Sequence, residues 1–397
     1  MTPIDYFPAE RSEALQRISA IRPGEYARSR NHLDGAVTRL SPYITHGLVS
    51  LPEVLSGVAA NHTLDIQHKL VYELGWREYF RHVWQHCGDG ILESIHPGAL
   101  PDHAYAESLP NDIRQARTGV PVIDQSVRTL YATGYLHNHA RMWLASYVVH
   151  LRKVHWRAGA DWLFAHLLDG DLASNHLSWQ WVAGTGSHKP YLFNADNVAR
   201  YAPQAWHSPG TALDTSYEQL DTIARSRHAI ALDAEGEGVE EPPLLGRPPE
   251  GEAPNGLQVQ GRDVWLLHPW ALNDLPADLP ADVLAVGWWP SEFHVARPWS
   301  AARWAFVGQR MGALAACVWC SDRQTLERAL AGARSVATVA DPHISALLPP
   351  CVDQRPAMAL FPAVTQECAS FSAWWRQATR RAKVLSDLPG LGSKPSL

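Results

Sequence analysis

The sequence contains no apolar run long enough to cross a membrane, and it contains few cysteines. Its longest apolar runs, near residues 264–267 and 313–320, are far shorter than the roughly 20 residues of a membrane-spanning helix. Five cysteines in 397 residues argue against a secreted disulfide scaffold. The first fifteen residues contain Asp5 and Glu10 and no basic region followed by an apolar one, so we expect no signal peptide. These absences favour a cytoplasmic protein without membrane contact.

Hydrolytic and metal-binding motifs are also missing. Cys317 and Cys320 have the C-x-x-C spacing but lie in a predicted strand without a second cysteine pair, so we expect no zinc. His137 and His139 are two residues apart and face opposite sides of a helix, which excludes a ligand pair. We find neither a Ser–His–Asp motif nor a paired-carboxylate arrangement. The sequence therefore predicts no metal and no hydrolase.

Tryptophan is unusually frequent, with 17 Trp in the chain beside 12 Tyr and 20 His. A hydrophobic content of 46% excludes a mainly disordered chain. Composition changes sharply at residues 231–261, where acids outnumber bases seven to one among many prolines and glycines, as is typical of a linker. We therefore predict a domain at 1–230, a linker at 231–261, a second domain at 262–385 and a flexible tail at 386–397.

The two blocks differ in periodicity. Apolar residues recur at three- and four-residue steps in 66–86, 122–131, 136–151 and 161–168, which predicts an all-helical first domain. Short apolar runs at 263–268, 282–287, 316–320 and 335–339 alternate with helix-like stretches at 301–315 and 322–332. This alternation predicts a small Rossmann-like domain with a parallel sheet. Because HPWALND follows the first strand, a glycine-rich phosphate loop is absent and nucleotide binding there is not expected.

Two helical segments place polar groups on one face of a predicted helix. In residues 72–80 the face is formed by Glu73, Trp76 and Arg77. Glu73 and Arg77 also fit a simple helical ion pair worth a few tenths of a kcal/mol, and this alternative stays open. In residues 134–143, Arg141 shares a face with Asn138 and Met142. An arginine in an otherwise apolar helix needs an anionic partner, for which Asp169 and Asp171 are both candidates.

A third segment, residues 167–181, begins with an Asp-Gly-Asp turn before a predicted helix. Asp171 fits the N-cap of that helix. Asn175 and Trp179 follow Asp171 on one line, which capping alone does not explain. Together the three segments suit a large aromatic ligand with a polar rim, held in a helical cavity.

Four long motifs resemble the DNA photolyase/cryptochrome family. They are GAVTRLSPYITHG at 35–47, ELGWREYFRH at 73–82, RTGVPVIDQSVRTLYATGYLHNHARM at 117–142 and DGDLASNHLSWQW at 169–181. The resemblance runs from about residue 26 to 203 and implies a helical domain that binds FAD. The implied pyrophosphate-binding residues are Tyr26, Val37, Thr38, Arg39, Leu40 and Ser41. The other implied FAD-binding residues are Arg77, Asn138, Arg141, Asp169, Asp171 and Asn175. The resemblance also implies that Arg141 pairs with Asp169 beside the isoalloxazine ring.

The resemblance also implies a lesion. Asn175 would face N5 of the flavin, where plant-type cryptochromes have Asp, and enzymes for the 6-4 photoproduct have two His in place of Asn138 and Met142. These residues, with Glu73 on the thymine carbonyls, therefore resemble photolyases for cyclobutane pyrimidine dimers. Trp76 and Trp181 would be the walls on which a flipped dimer stacks. The implied catalytic residues are Glu73, Trp76, Asn138, Met142 and Asn175, and the implied DNA-binding residues are Arg30, Trp76, Arg77, Met142 and Trp181.

Family members reduce their flavin through three tryptophans. Trp179 and Trp156 match the first two, whereas the third position falls near residues 103–105, where the sequence offers Tyr105 and no Trp.

Two further features depart from the family. The usual antenna domain precedes the flavin domain, whereas here the α/β block that resembles it follows the acidic linker, and a folate or deazaflavin antenna is the second chromophore it would take. The charge is also unusual for a DNA-binding protein, since residues 1–227 hold 20 Lys and Arg against 22 Asp and Glu. A local basic patch would have to come from residues such as Arg30, Arg77, Arg81, Arg114, Arg117 and Lys189.

Three hypotheses follow. The first is light-driven repair of cyclobutane pyrimidine dimers, with a preference for single-stranded DNA left open. The second is a cryptochrome-like blue-light photoreceptor that binds FAD without repair, and the third is a flavoprotein with a structural or redox role. The sequence leaves the oligomeric state open.

Overall fold

The computed structural model describes residues 6–230 and 236–392. They form two compact units. The described parts of the first unit are residues 22–37 and 79–242, without 231–235, and those of the second are 6–21, 38–78 and 243–392. The helical first domain and the small parallel α/β domain predicted from the sequence are both confirmed as the fold class. The linear division into 1–230, 231–261, 262–385 and 386–397 stays a prediction.

Helices dominate up to residue 225. In chain order they are α1 (Arg11–Ser19), α2 (Pro23–Ser29), α3 (Ser41–Thr45), α4 (Leu51–Ala59), α5 (Lys69–Cys87), α6 (Asn111–Arg114), α7 (Pro121–Thr133), α8 (Asn138–Ser146), α9 (Trp156–His166), α10 (Leu172–Ala183), α11 (Ala195–Tyr201) and α12 (Tyr217–Arg225). A single π-helical turn, Tyr147–Leu151, continues α8. The helices predicted at 66–86, 122–131, 136–151 and 161–168 are confirmed, with shifted ends.

Local signals explain where these helices begin and end. Ser50 accepts the backbone N–H of Glu53, whose carboxylate in turn accepts the N–H of Ser50, so a capping box starts α4. Pro121 begins α7, where its missing N–H costs nothing. Gly134 ends α7 at a φ of 64°, a backbone region that favours glycine.

The core of the first unit is built from α7, α8, α9 and α10. Trp143 and Leu144 on α8, Leu163 on α9 and Trp179 on α10 are all buried. Burial of such side chains contributes about 1.5–3 kcal/mol each. The core fixes the relative positions of the helices that carry the candidate residues described below.

The second unit contains the sheet and its helices. The strands are β1 (Leu244–Leu245), β2 (Asp263–Leu267), β3 (Leu284–Pro290), β4 (Trp299–Ser300), β5 (Cys317–Ser321), β6 (Ser335–Val339) and β7 (Asp353–Arg355). The helices are α13 (Gly256–Val259), α14 (Ser291–Ala296), α15 (Ala301–Leu314), α16 (Arg323–Leu330), α17 (Phe371–Ala378) and α18 (Pro389–Gly392). The predicted strands and both predicted helices are confirmed.

Five strands form one parallel sheet in the order β5-β3-β2-β6-β7. Counted within the sheet this is the doubly wound order 3-2-1-4-5, which places a crevice beyond the carboxyl end of the first strand. In this chain the first strand of the sheet, β2, is followed by the bulky rings of His268 and Trp270. His268 bonds the carbonyl of Val339 through Nε2 at 2.8 Å, and Trp270 stacks on His343 with ring centroids 4.4 Å apart.

The acidic segment predicted as a linker makes defined contacts. The Val239 N–H donates to the Gln115 carbonyl at 2.7 Å, and Glu241 accepts the indole N–H of Trp162 at 3.0 Å. Residues 231–235 of the predicted linker and 393–397 of the predicted tail lie outside the described residues. Among the residues that the structure describes, no helix has the length and apolar character needed to cross a membrane.

Candidate functional site

The Asp-Gly-Asp turn before α10 carries a buried carboxylate with two partners. Asp171 caps α10 by accepting the Ser174 N–H at 2.8 Å, as the sequence predicts. Its other oxygen accepts Nη2 of Arg81 at 3.0 Å, and the Asp171 side chain is fully buried. A buried carboxylate needs such pairing, because an unpaired charge in the interior is costly.

The other carboxylate of this turn pairs with α8. Arg141 Nη2 donates to both oxygens of Asp169, at 3.0 and 2.8 Å, and Arg141 Nε donates to the Leu136 carbonyl at 2.7 Å. The residues alone left Asp169 and Asp171 open as partners of Arg141, and the resemblance implied Asp169. Asp169 is the partner observed. Asp171 is taken by Arg81, a pairing that the sequence analysis did not predict.

Asn175 lies one turn into α10 and is nearly buried. Its Nδ2 donates to the Ala160 carbonyl of α9 at 2.8 Å. The neighbouring His176 bonds Asp161 through Nε2 at 2.8 Å, which adds a second link between the two helices. Because the amide nitrogen of Asn175 is bonded, its carbonyl oxygen is the side-chain group left to accept a hydrogen bond from a ligand.

The close approach of α9 and α10 depends on a small residue. A Cβ at Gly159 would lie 2.3 Å from the six-membered ring of Trp179, so this position has no room for a larger side chain. Trp179 and Trp156 are both buried. Trp156 is held by its indole N–H, which donates to Ser94 Oγ at 2.9 Å.

Tyr105 lies next to the helix that carries Trp156. The Ala106 N–H donates to the Lys153 carbonyl at 2.7 Å, and the His155 N–H donates to the Ala106 carbonyl at 2.8 Å. The His155 ring lies between the two aromatic groups, 5.7 Å from the Trp156 ring centroid and 6.3 Å from that of Tyr105. Burial raises the pKa of the Tyr105 phenol. The His155 ring therefore contacts both Trp156 and Tyr105, although it was not part of the predicted aromatic series.

Two residues of the first unit that are predicted to contact the dimer, Asn138 and Trp181, are exposed, whereas Met142 is partly buried. Asn138 is exposed at the start of α8, where its Nδ2 lies 3.7 Å from Met142 Sδ. Trp181 is 40% exposed on α10 and packs against Tyr191 at a centroid distance of 5.6 Å. A tryptophan with this exposure offers a stacking surface, whereas Trp179 on the same helix does not.

The residues predicted to bind the pyrophosphate lie on both sides of the unit boundary. In the first unit, Tyr26 is on α2 and Val37 lies in the loop beyond it. Arg30, predicted to bind DNA, directly follows α2. In the second unit, Thr38, Arg39 and Leu40 precede α3, and Ser41 begins it. Arg39 has a φ of 51°, an uncommon conformation for a residue other than glycine.

The remaining predicted residues lie on the part of α5 that belongs to the second unit. Glu73 and Trp76 are half-buried there, and Arg77 Nη2 donates to Thr45 Oγ1 at 3.1 Å. The Trp76 ring stacks on Phe371 of α17 with centroids 4.1 Å apart and planes 11° apart. Phe371 is not among the site residues predicted from the sequence.

The basic patch considered in the sequence analysis is weakened by pairing. Of its six candidates, Arg81 pairs with Asp171 and Arg114 pairs with Glu241. The positive charges of Arg81 and Arg114 are therefore largely neutralised by protein carboxylates.

Comparisons with known proteins agree with the geometry. Residues 70–206 match the family model for the FAD binding domain of DNA photolyase. A deoxyribodipyrimidine photo-lyase from Halobacterium salinarum is 30% identical over 217 residues, which cover 48% of this chain and 44% of that protein. A cryptochrome DASH from Idiomarina loihiensis is 28% identical over 236 residues, which cover 55% of this chain and 52% of that protein.

A solved cryptochrome structure from Synechocystis sp. matches with a TM-score of 0.43 and 27% identity, over 48% of this chain and 43% of that chain. The chain spans about half the length of the curated relatives it matches. The helical region of this chain is therefore similar to the FAD-binding domain of the photolyase/cryptochrome family.

Proposed function

We propose that this protein repairs cyclobutane pyrimidine dimers in DNA in a light-driven reaction. The observation that carries the proposal is the arrangement on α8, where Arg141 is fixed by Asp169 while Asn138 and Met142 lie on the same face and contact each other. The Arg141–Asp169 pair fits the polar edge of a flavin, and the side chains of Asn138 and Met142 fit a pyrimidine dimer. A DNA substrate agrees with the cytoplasmic location predicted from the sequence.

The donor set of the first unit fits FAD. A guanidinium with its carboxylate, a buried carboxylate and an amide can recognise the hydrogen-bonding edge of an isoalloxazine ring. When bound, reduced FAD would supply the photochemistry, which is the reversible transfer of one electron to the dimer after absorption of blue light. Asn175, whose Nδ2 is bonded to Ala160, has an oxygen suited to accept the N5–H that only a reduced flavin carries.

Other residues would hold the remaining parts of FAD. We assign the pyrophosphate to Tyr26 and the turn formed by Val37, Thr38, Arg39, Leu40 and Ser41, and a further FAD contact to Arg77. Backbone N–H groups and hydroxyls at such a turn can bind phosphate oxygens. Asp169 would keep Arg141 oriented, so that its guanidinium is in place before the ligand arrives.

The substrate would be held by an amide, a thioether, a carboxyl and two indoles. Glu73 and Asn138 would hydrogen-bond the thymine carbonyls and N–H groups, and Met142 would pack against the dimer. Trp76 and Trp181 would stack on the flipped bases, an interaction worth about 1–3 kcal/mol per base. Arg30 and Arg77 would contact phosphates, and the near-neutral charge of residues 1–227 favours a single-stranded substrate.

A cryptochrome-like photoreceptor is the second candidate. It is favoured by the similarity to a cryptochrome DASH and by the tyrosine at the place of the third tryptophan. In this role Trp179, Trp156 and Tyr105 would supply electrons to photoexcited FAD, and the C-terminal domain would carry the signal. A folate or deazaflavin antenna in that domain is compatible with both candidates.

The proposal can be tested at Glu73 by measuring the yield of dimers that chemically reduced protein repairs in light. Glu73→Ala removes the carboxyl that would bond the thymine, so we expect FAD to stay bound while the yield of repaired dimers falls well below that of the wild type. Glu327→Ala changes an exposed carboxyl on α16 and serves as the control. Repair at the wild-type level by Glu73→Ala would contradict the pocket. Absence of repair by the wild type, with FAD bound and reduced, would favour the photoreceptor.

A further inference from the structure

The C-terminal segment carries a run of exposed positive charge. Between residues 371 and 386 the sequence has four basic residues and no acidic one. All four, Arg376, Arg380, Arg381 and Lys383, are exposed. None of them forms a side-chain ion pair within residues 6–230 and 236–392. We call these four residues the basic segment.

The other face of the segment is anchored by aromatic residues. Phe371, Trp374, Trp375 and Ala378 are the buried residues of α17. Phe371 stacks on Trp76 at 4.1 Å, and the ring of Trp375 lies so close to α5 that a Cβ at Gly75 would be 2.6 Å from it. The glycine at position 75 is therefore required for this close approach.

Hydrogen bonds fix the chain that leads into α17. The Glu78 carboxylate on α5 accepts the backbone N–H groups of Leu360 and Phe361, at 2.5 and 3.1 Å. Ser370 caps α17 by accepting the Ala373 N–H at 3.2 Å. The segment is thus attached at several points to the part of α5 that carries Glu73 and Trp76, and its charged side is left to solvent.

We propose that the basic segment binds the phosphate backbone of DNA and supplies the positive surface that the helical block lacks. The inference rests on the proposed function, because it takes DNA as the partner. Residues 1–227 have more acidic than basic residues, and Arg81 and Arg114 are already paired with carboxylates. Unpaired arginines are well suited to phosphate oxygens, which they bind in a bidentate geometry.

The same contacts argue against an anionic membrane as the partner. A helix that lies in a membrane surface inserts its apolar face between the lipids. The apolar face of α17 is instead packed against Tyr72, Gly75 and Trp76 of α5. With that face buried, the segment can offer only its charges, which suits the outside of a nucleic acid strand.

The test is the salt dependence of binding to undamaged oligothymidine. Each phosphate contact contributes about 0.7 to the slope of log affinity against log salt for a single strand. Arg380→Gln/Arg381→Gln should reduce the magnitude of that slope by about 1.4. When salt is raised from 50 to 200 mM, the factor by which affinity falls should then be about seven times smaller than in the wild type. Arg380→Lys/Arg381→Lys should keep the wild-type slope.

The control removes two exposed arginines from elsewhere in the second unit. Arg262→Gln/Arg328→Gln causes the same change in net charge and should leave the slope unchanged. An equal slope for wild type and Arg380→Gln/Arg381→Gln, or an equal loss in both double variants, would overturn the proposal. So would binding of the wild type to phosphatidylglycerol vesicles together with no binding to oligothymidine. Because the DNA is undamaged, the result does not depend on whether the protein repairs dimers.

Discussion

Arg141 and Asp169 form a forked contact in which one guanidinium nitrogen donates to both carboxylate oxygens, at 3.0 and 2.8 Å. Asp169 is nearly buried, so loss of the arginine would leave a carboxylate without its main partner. We predict that Arg141→Gln lowers the free energy of unfolding by about 1–3 kcal/mol and weakens FAD binding. Urea unfolding and the ratio of flavin to protein absorbance measure the two effects.

Arg225→Gln is the matched control for that variant. Arg225 pairs with Asp221 at the surface of α12, and such exposed pairs contribute less than about 1 kcal/mol. Equal destabilisation by the two substitutions, with full FAD occupancy in both, would show that the Arg141–Asp169 pair has no special role.

Asn175 is predicted to determine which reduced form of the flavin accumulates in light. In Asn175→Asp the side chain, when ionised, cannot donate to the Ala160 carbonyl and brings a negative charge toward an anionic ligand. We expect the absorption spectrum after illumination to shift away from that of the anionic fully reduced flavin. Asn111→Asp, an exposed exchange of the same kind, should change nothing. An unchanged spectrum in Asn175→Asp would argue against its placement at N5.

Tyr105 is predicted to be the terminal electron donor. Phenylalanine cannot give up the phenolic proton that tyrosine loses on oxidation, so Tyr105→Phe should slow light-driven reduction of the oxidised protein. Repair by chemically reduced Tyr105→Phe should equal that of the wild type, because the aromatic series is not needed once the flavin is reduced. Tyr217→Phe is a control at an exposed tyrosine. Equal rates of photoreduction in the wild type and Tyr105→Phe would exclude this role.

His150 should make the protein less stable in acid. Burial lowers the pKa of His150 to about 4, although its bond to the Val182 carbonyl works in the opposite direction. Between pH 6.5 and about 4 the unfolded chain therefore binds a proton that the folded protein does not, so stability falls as the pH is lowered. The loss from this residue is up to about 1.4 kcal/mol per pH unit over that interval.

Urea unfolding of His150→Gln at several pH values measures this contribution. The glutamine can still donate to the Val182 carbonyl, but it does not titrate. We expect a shallower decline in the free energy of unfolding between pH 6.5 and 4 than in the wild type. Parallel pH profiles for the two proteins would mean that His150 is protonated equally in the folded and unfolded states.

Periodicity and motif order were sufficient to predict much of this architecture. The apolar spacing of α7 and the short apolar runs of β2 and β6 are local patterns, which can be recognised within a short stretch of sequence. The capping role of Asp171 was predicted for the same reason. From the residues alone the partner of Arg141 could not be chosen, because Asp169 and Asp171 are only two residues apart and the choice depends on Arg81, 90 residues before Asp171. Only the family resemblance indicated Asp169.

Contacts between distant parts of the chain could not be predicted from the sequence. Trp76 and Phe371 are separated by almost 300 residues, and nothing in either local sequence indicates that their rings stack. The bond from Asn175 to Ala160 is equally hidden, because a backbone carbonyl has no sequence signature. The charge of the C-terminal segment could be counted, but its exposure depended on which face of α17 is buried.

The central claim is tested most directly by illuminating reduced wild-type protein with oligothymidine that contains cyclobutane dimers. Recovery of the thymine absorbance under blue light reports splitting of the dimers, and an identical sample kept in the dark is the reference. The proposed function predicts recovery in light and none in the dark. No recovery in light, from protein whose FAD is bound and fully reduced, would contradict repair and leave photoreception as the role that the site serves.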